Sequence, residues 1–487
     1  MKEDWVLGSM RTLTSPVKGV LVSLGGVSLG GLTGWGVASP EASLVIPVLA
    51  AGSSIAIALA SPPAILILVV LVAPLAGFAH LDLRLAPGVP ALSLVRLVSS
   101  FLLMLLLTQV RVGGRERLRL DAVDLVFMAS IVGIGISLSR SIELVRSAQV
   151  YFDSYFIPFL MYFLAKNIIR SRAWLDGTKL ALVAVGFYLS ALIIHEYVTG
   201  QGFLVPEGDL ATRYSEHLSR SVVLFGNSAF SGALMAVAFP VALTLLLDMP
   251  WSRMKLLLAL ALPVMGTGLF LTYTRAAWIT AFVGLIVIQF FFPRLRRFVL
   301  ILIPLVAILA VAFWGELASS PIISERVSSQ GPVLGRFSLL ELSIGFITEQ
   351  PLWGIGFDNF RYVTRIWEMT DIENTHNSFV FILVSSGLVG LLPYLAGIVL
   401  VWREAIQGIR WLGKRGQARL FLPLLITLVS YLGNALVIDM VSAPYLNMVF
   451  FLTIGTHLGF LERLKSREQL REERVAWKKA AALRASA

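Results

Sequence analysis

His376 is the histidine whose neighbours are best suited to chemistry. The chain has five histidines, and this one stands in the stretch ENTHNSF, where a polar segment gives way to a long apolar run. An unperturbed imidazole has a pKa of about 6.5, so it can act as a general base near neutral pH. The alternative is that the whole THNS stretch only caps the following helix. We predict a cap for Asn377 and Ser378, and a base for His376.

Two arginines could bind an anionic substrate group near such a base. Arg275 lies in TYTRAAW, between two apolar runs that have almost no loop between them, and Arg336 lies in LGRFSLLE. A guanidinium group can bind phosphate oxygens through two parallel hydrogen bonds. The plain alternatives are an anchor at the membrane interface for Arg275 and a solvated surface position for Arg336. The residue types favour an anion site that contains both arginines.

Other polar residues are weaker candidates for the same site. Arg361 and Arg365 are four residues apart, so they would share one face of a short helix, which could also be a merely solvated face. Asn377 follows the histidine directly, and Asp439 lies at the end of a late apolar run. We keep these four as possible secondary members of the site.

The sequence lacks the common motifs of soluble nucleotide and metal enzymes. It has no GxxxxGK phosphate loop, no HExxH pair and no CxxC, and its GIG at 354–356 is too short to be a dinucleotide fingerprint. Cysteine is absent, which excludes disulfides and thiol chemistry. We therefore expect no metal and no cofactor, and the net charge of +11 has to be located before it is interpreted as nucleic-acid binding.

The elements that must position these residues are membrane helices. The chain is 57% hydrophobic and 14% charged, whereas soluble domains carry about 25% charged residues. Apolar runs long enough to cross a bilayer recur along the chain. The candidate spans are 19–37, 42–60, 62–78, 89–108, 121–139, 147–166, 179–198, 224–247, 254–272, 275–292, 298–315, 377–401, 420–438 and 441–460.

The expected fold is therefore all-α and polytopic, with about 12–14 transmembrane helices. The lower count allows for the second and third spans, which only SPP separates, to form a re-entrant hairpin. Arg96 and Asp153 each lie within a predicted span. Because a charge within a membrane is costly and is usually paired, we expect them to form an intramembrane ion pair with a structural role.

The basic residues set the predicted orientation. If the N-terminus is cytoplasmic, 29 of the 40 Lys and Arg residues fall in cytoplasmic segments and ten fall outside. This is the bias that the positive-inside rule requires. Both termini are then cytoplasmic, and the net charge reflects topology and contact with membrane lipids rather than nucleic-acid binding.

The main extramembrane region is a large periplasmic loop. The predicted organisation is N-terminal membrane helices over 1–315, the loop over 316–376, C-terminal membrane helices over 377–460 and a basic cytoplasmic tail over 461–487. Short helices are expected within the loop. One of them has apolar residues at helical spacing, namely Phe337, Leu340, Ile344 and Ile347. The stretch WGIGFDNF that follows supplies the glycines of a tight turn.

Topology and chemistry together predict a reaction type. The arginines and His376 all fall on the outer side, where ATP is absent, so a reaction there needs an activated donor. A diphosphate at the membrane surface is the natural anion for two arginines. We therefore predict transfer of a group from a lipid diphosphate to a hydroxyl.

The same residues resemble a known family. TYTRAAW, LGRFSLLELSIGFITEQPLWGIGFDNF and ENTHNSFVFILVSSGLVGLLPY together resemble the O-antigen ligase and O-antigen polymerase family of bacterial envelope glycosyltransferases. The similarity is dense over about 270–395; elsewhere the chain agrees only in being polytopic. The resemblance implies a C-type glycosyltransferase fold in the bacterial inner membrane, with its site facing the periplasm.

The resemblance also implies substrates and roles. Members move a glycan from undecaprenyl diphosphate to a sugar hydroxyl, with inversion and without a required metal. By this resemblance Arg275 and Arg336 bind the donor diphosphate, and His376 activates the acceptor hydroxyl.

Ligase and polymerase share these motifs, so the acceptor stays open. A ligase uses lipid A–core or a similar acceptor, whereas a polymerase extends a lipid-linked glycan. Transfer to a protein hydroxyl is a third outcome. A lipid-glycan transporter is disfavoured, because transporters place charge near the bilayer midplane and often have paired halves, whereas here the polar residues crowd the outer face.

Overall fold

The computed structural model describes residues 52–75, 93–112, 118, 120–169, 171–200, 223–225, 227–293, 295–297, 308, 311–312, 331–366 and 375–486. Within these residues the regular elements are all helical. The α-helices, numbered here in chain order, are α1 Pro62–Val72, α2 Leu94–Val112, α3 Ala122–Ile136, α4 Leu144–Tyr151, α5 Ile157–Ile168, α6 Arg172–Thr199, α7 Ser228–Asp248, α8 Arg253–Leu271, α9 Arg275–Phe291, α10 Gly331–Glu349, α11 Phe360–Ile366, α12 Ser378–Gly413, α13 Leu422–Ala435 and α14 Pro444–Ser486.

Helix length and composition make this a membrane protein. Seven helices of the described part are long and apolar enough to cross a bilayer, and three shorter apolar helices accompany them. Each predicted span from 62–78 onward overlaps a described helix, except 298–315, which lies largely outside the described residues. The span 19–37 also lies outside them, as does most of 42–60. The prediction of an all-α, multi-pass membrane protein is confirmed; the total of 12–14 spans stays a prediction.

Three local features refine the predicted spans. Residues 52–60 are helical and are separated from α1 only by Ser61. Between α4 and α5 the chain forms one π-helical segment, Phe152–Phe156. The last span does not end at the membrane, because α14 continues as one helix through the described part of the basic tail.

A buried charge cluster joins helices at the end of α5, where the predicted topology places the cytoplasm. Lys166 is only 2% exposed, and its ammonium lies 2.6 Å from the buried carboxylate of Asp124 and 2.7 Å from that of Asp121. The hydroxyl of Tyr162 donates to Asp124 at 2.6 Å. Arg463 of α14 donates to the main-chain oxygens of Lys166 and Asn167. The cluster ties α3, α5 and α14 together.

We expect the substitution Lys166→Met to destabilise the protein by about 3–5 kcal/mol, because it leaves the carboxylate of Asp124 buried without its cation. The measurement is the thermal unfolding of the purified protein in detergent. The matched control is Lys465→Met, which breaks a partly exposed pair with Glu404; a change of about 1 kcal/mol or less is expected there. Equal effects of the two substitutions would contradict a structural role for the buried cluster.

The turn after α10 is seated on a break in α12. Gly387 interrupts α12 with φ 63° and ψ −162°, a region that is essentially open only to glycine. The turn compensates the interrupted hydrogen-bond ladder, as the backbone amides of Ile355 and Gly356 donate to the carbonyls of Val384 and Ser385, at 2.8 and 3.1 Å. In return, two amides that follow the break donate to turn carbonyls, as Leu388 N to Pro351 O at 2.9 Å and Val389 N to Leu352 O at 3.2 Å. Irregular backbone in a membrane protein requires such partners.

The segment that follows the C-terminal end of α3 holds the other side of the same turn. The guanidinium of Arg140 donates to the carbonyl of Gly354 at 2.7 Å. The side chain of Asn359 donates to the carbonyl of Arg140 at 2.9 Å and accepts from the amide of Ile142 at 2.9 Å. The expected glycine turn is therefore present, and it is clamped between two membrane helices.

We expect Gly387→Ala to destabilise the protein by at least about 1–2 kcal/mol, the cost of a left-handed backbone for a residue with a Cβ. The added Cβ would also stand 2.2 Å from the carbonyl oxygen of Leu352, so the turn would have to move. The matched control is Gly345→Ala on α10, where a Cβ meets open space. Thermal unfolding of both variants checks the prediction. Equal stability of the two variants would show that the break carries no constraint.

The loop helix α10 is present as predicted, and it packs on the protein through Leu339 rather than through most of its apolar stripe. Leu339 is 1% exposed and packs with Phe360 and Val384. The residues expected to form the apolar face are largely exposed, with Phe337 at 65%, and Leu340 and Ile344 exposed as well. Only Ile347 of that set packs against the protein. The predicted helix is confirmed, and most of its apolar stripe lies on the exposed side.

Candidate functional site

A short, internally bonded turn between α8 and α9 fixes Arg275. The hydroxyl of Thr272 donates to the carbonyl of Leu269 at 2.8 Å, and Trp278 donates its indole N–H to that same carbonyl at 3.0 Å. These bonds tie the start of α9 to the end of α8. Arg275 is the first residue of α9, and its side chain is exposed. Arg275 therefore begins a helix whose N-terminus itself favours anions.

Arg336 is carried by α10 on the same face as the helix's buried residues, three positions before Leu339 and seven before Ser343. The helix is held by Leu339 and by Ser343, which is fully buried and donates its hydroxyl to the carbonyl of Leu339 at 2.6 Å. Arg336 is exposed, three residues before Leu339. The fixed inner face of α10 therefore determines where this arginine stands.

His376 sits at the entrance of α12, in a strained backbone. Its φ is 52°, a region that residues with a Cβ rarely adopt. Tyr273, two residues before Arg275, also has a positive φ, at 48°. Such strain persists only where the surroundings impose it, and it concentrates at functional sites. Among the described non-glycine residues with a positive φ, His376 is a predicted site residue and Tyr273 lies two positions before another.

The residues after His376 hold it in place. The side-chain oxygen of Asn377 accepts from the amides of Phe379 and Val380, at 2.9 and 3.1 Å, so Asn377 is the N-cap of α12. Its amide nitrogen donates to the carbonyl of Leu436 at 3.0 Å. The predicted cap is thus found for Asn377. It is wrong for Ser378, whose hydroxyl instead donates to the carbonyl of Ile438 at 2.9 Å and accepts from an amide at position 440.

Arg336 lies within electrostatic range of both Arg275 and His376. Partial burial and, second to it, the positive charge of Arg275 lower the pKa of Arg336. Partial burial and then the charge of Arg336 lower the pKa of His376. Arg275 and His376 are 101 positions apart in sequence, and Arg336 is the residue that interacts with each. The imidazole is therefore neutral at neutral pH, as a general base must be.

The other two arginines of the loop stand differently. Arg361 is 4% exposed and contacts Glu143 at 3.5 Å and Asp358 at 3.7 Å, with its guanidinium over the ring of Tyr362. It lines a cavity whose described walls include none of Arg275, Arg336 and His376. The side chain of Arg365 lies outside the described residues.

The expected intramembrane partners Arg96 and Asp153 do meet. Two nitrogens of the guanidinium donate to the two carboxylate oxygens, Nε to Oδ1 at 2.7 Å and Nη2 to Oδ2 at 2.5 Å. Asp153 belongs to the π-helical segment, and it lines the same cavity as Arg361. The pair is thus bidentate, the stronger geometry for this contact.

Asp439 lies beside this cavity, within the connection between α13 and α14. One carboxylate oxygen accepts from the amide of Val441 at 3.1 Å, while the other, buried, has no hydrogen-bond donor among the described residues. Burial, followed by the charge of Asp358, raises the pKa of Asp439 to about 8. The acid is therefore mostly protonated at neutral pH.

Sequence reasoning missed most of the cavity's polar wall. Arg146, Gln149 and Asp358 line it beside Arg361 and Asp153. Asp358 lies in the turn WGIGFDNF and is the third residue other than glycine with a positive φ, at 62°. An aspartate two positions after the second turn glycine was a usable signal. The arginine and glutamine on α4 had none.

The comparisons with known proteins agree with the motifs. Residues 260–395 match the family described as O-antigen ligase. A comparison with curated proteins finds no significant match. The matched residues include Arg275, Arg336 and His376, and also the turn that is seated on the break in α12. The resemblance predicted from the motifs is confirmed over residues 260–395, which match the O-antigen ligase family of glycosyl-transferring enzymes.

Proposed function

We propose that the protein transfers a glycan from an undecaprenyl-diphosphate donor to a sugar hydroxyl of lipid A–core or a similar acceptor. The observation that carries the proposal is the placement of Arg336 within electrostatic reach of both Arg275 and His376. Two guanidinium groups and a helix N-terminus form an anion site, and a neutral imidazole stands at its edge. The family match supports glycosyl transfer.

The diphosphate binds to the arginines. Arg275 and Arg336 each offer parallel N–H donors to phosphate oxygens, and the N-terminus of α9 adds its partial positive charge. These groups stabilise the negative charge that grows on the diphosphate as the sugar leaves. Fixed donors aimed at developing charge are commonly the largest contribution to such catalysis.

His376 takes the proton of the acceptor hydroxyl. As that proton moves to the imidazole, the acceptor oxygen forms a bond to the anomeric carbon on the face opposite the diphosphate. The bond from that carbon to the diphosphate oxygen breaks, and its electron pair leaves with undecaprenyl diphosphate. The configuration at the carbon is inverted, and the proton on His376 passes to solvent. None of these steps requires a metal or a cofactor.

The site faces the periplasm in this proposal, and the protein resides in the bacterial inner membrane. The distribution of Lys and Arg supports this orientation with both termini cytoplasmic. A donor on that side carries its own activation, since it contains the diphosphate. The apolar helices around the site provide lipid-like surfaces for the polyprenyl chain.

Reconstitution tests the proposal. The purified protein in liposomes is given an undecaprenyl-diphosphate glycan, with lipid A–core or with no second acceptor, and products are separated on a gel. A discrete shift of lipid A–core is the expected result. A ladder formed without lipid A–core identifies a polymerase that extends the lipid-linked glycan, and no transfer to any acceptor overturns glycosyl transfer. Arg172→Met, on the predicted cytoplasmic side, is the control for loss of an arginine.

A further inference from the structure

A second polar cavity lies apart from the three proposed catalytic residues. Its volume is about 460 Å³, within the range of about 300–1,000 Å³ that small-molecule sites occupy. Its polar wall comes from α4, the π-helical segment, the turn before α11 and the residues before α14. The side chains used below are Arg146, Gln149, Asp153, Asp358, Arg361 and Ser442.

A buried arginine in this wall has donors to spare. Arg361 is 4% exposed, and its Nη2 donates to the hydroxyl of Tyr362 at 2.9 Å. Its Nε and Nη1 are buried and have no hydrogen-bond acceptor among the described residues. Leaving charged donors unsatisfied is costly. The cavity beside them is where an acceptor for these donors would lie.

The charges around the cavity are already balanced. Asp358 lies 3.8 Å from Arg146 and 3.7 Å from Arg361, and Asp153 is paired with Arg96. An anionic ligand would therefore compete with Asp358 and Asp153 for the arginines. The wall instead offers donors and acceptors side by side, the latter from carboxylates, Gln149 and Ser442. Hydroxyl groups both donate and accept, so a sugar matches such a wall better than a phosphate does.

The cavity is connected to His376 through one short segment. Residues 438 and 440 are hydrogen-bonded to the hydroxyl of Ser378, two positions after His376. Val441 and Ser442 continue the same segment and line the cavity. The donor diphosphate is assigned to Arg275 and Arg336, neither of which lines this cavity, whereas the segment bonded to Ser378 does line it. A glycan held here would be the one whose hydroxyl is to be deprotonated.

We propose that this cavity binds uncharged sugar residues of the acceptor glycan, an inference that rests on the proposed glycosyl transfer. Arg361 donates to ring or hydroxyl oxygens, and Asp358 accepts from hydroxyl groups. Arg146 and Gln149 close the outer part of the cavity. Specificity for the acceptor is then set here, apart from the diphosphate site.

Kinetics of two variants at the open side of the cavity test the proposal. Arg146→Met and Gln149→Met remove polar atoms from a partly exposed helix and leave Arg361 in place. Each is expected to raise the KM for the acceptor about tenfold, with kcat and the KM for the donor within about twofold of wild type. Arg172→Met is the control and should change none of the three. A raised donor KM with an unchanged acceptor KM would overturn the assignment to the acceptor.

A binding measurement separates this inference from the proposed function. Lipid-free core oligosaccharide, with its phosphates removed, is titrated into wild type and into Arg146→Met, with thermal stability as the readout. Stabilisation of wild type that the variant loses supports the cavity, even if reconstituted protein transfers no glycan. Absence of stabilisation in wild type overturns it, and so does binding that requires the phosphates. Failure of transfer alone counts against the proposed function and not against the cavity.

Discussion

Replacing His376 with glutamine is expected to lower the rate of glycan transfer by about 10²–10⁴-fold, the usual contribution of a general base. Glutamine keeps roughly the size and the hydrogen-bonding capacity of the imidazole but cannot take the proton of the acceptor hydroxyl at neutral pH. The diphosphate contacts of Arg275 and Arg336 are left in place. The KM for the donor should therefore change little, and the loss should appear in kcat.

The control for this substitution is His195→Gln, at an exposed position near the end of α6. It is expected to transfer glycan at the wild-type rate, measured with the same reconstituted assay and the same donor. Full activity of His376→Gln on every acceptor would show that His376 is not the base. The strained φ of 52° at this residue would then need another explanation.

The sequence was sufficient to predict what depends on residue type and period. Hydropathy located the spans that the structure shows as helices, and the motifs identified three residues that the fold brings together. The helix α10 was also predictable from its spacing. Its orientation was not, because Leu339 and Phe337 are equally apolar, and only the contact with Phe360 and Val384 determines which one is buried.

Contacts between distant segments could not be predicted in this way. The pair Lys166 and Asp124 is separated by 42 positions, and a hydropathy plot treats each charge as a defect in its own span. Gly387 reads as one glycine in an apolar run, yet it breaks α12 and accepts the turn from the loop. Hydropathy ranks single residues against lipid, whereas these features depend on which partner each one finds.

Asp358 lines the polar cavity, where it pairs with Arg146 and Arg361. Asp358 follows the glycine turn that is hydrogen-bonded to α12 and to the segment after α3. The backbone that holds this turn therefore also places the carboxylate of Asp358 between Arg146 and Arg361. Arg361 was a possible secondary member of the diphosphate site by sequence, but its contacts are with Asp358, Glu143 and Tyr362. The proposed separation of the diphosphate and glycan sites would let the acceptor change without a change in donor chemistry.

Arg336→Met is the second substitution with a large expected effect. It removes one of the two guanidinium groups proposed to stabilise the leaving diphosphate, and loss of one such donor costs about 10²–10³-fold in rate. Arg336 also lowers the pKa of His376 through its charge. Without that charge the imidazolium form is less disfavoured, so the pKa of His376 should rise. On acidification, the residual activity of the variant should therefore be lost at a higher pH than the activity of wild type.

The pH profile of kcat/KM distinguishes this role from simple damage to the fold. In wild type the acid limb should lie below the ordinary pKa of histidine, because partial burial and Arg336 both disfavour its protonation. In Arg336→Met the limb should move up, whereas Arg336→Lys should keep the limb near its wild-type position and still lose rate, since an ammonium cannot bind two phosphate oxygens in parallel. Arg275→Met should also lose rate, but with a smaller displacement of the limb. The charge of Arg275 lowers the pKa of Arg336, whereas burial and the charge of Arg336 lower the pKa of His376. An acid limb that does not move in Arg336→Met would show that the charge of Arg336 does not act on His376. The proposed site would then lack the residue that connects its two parts.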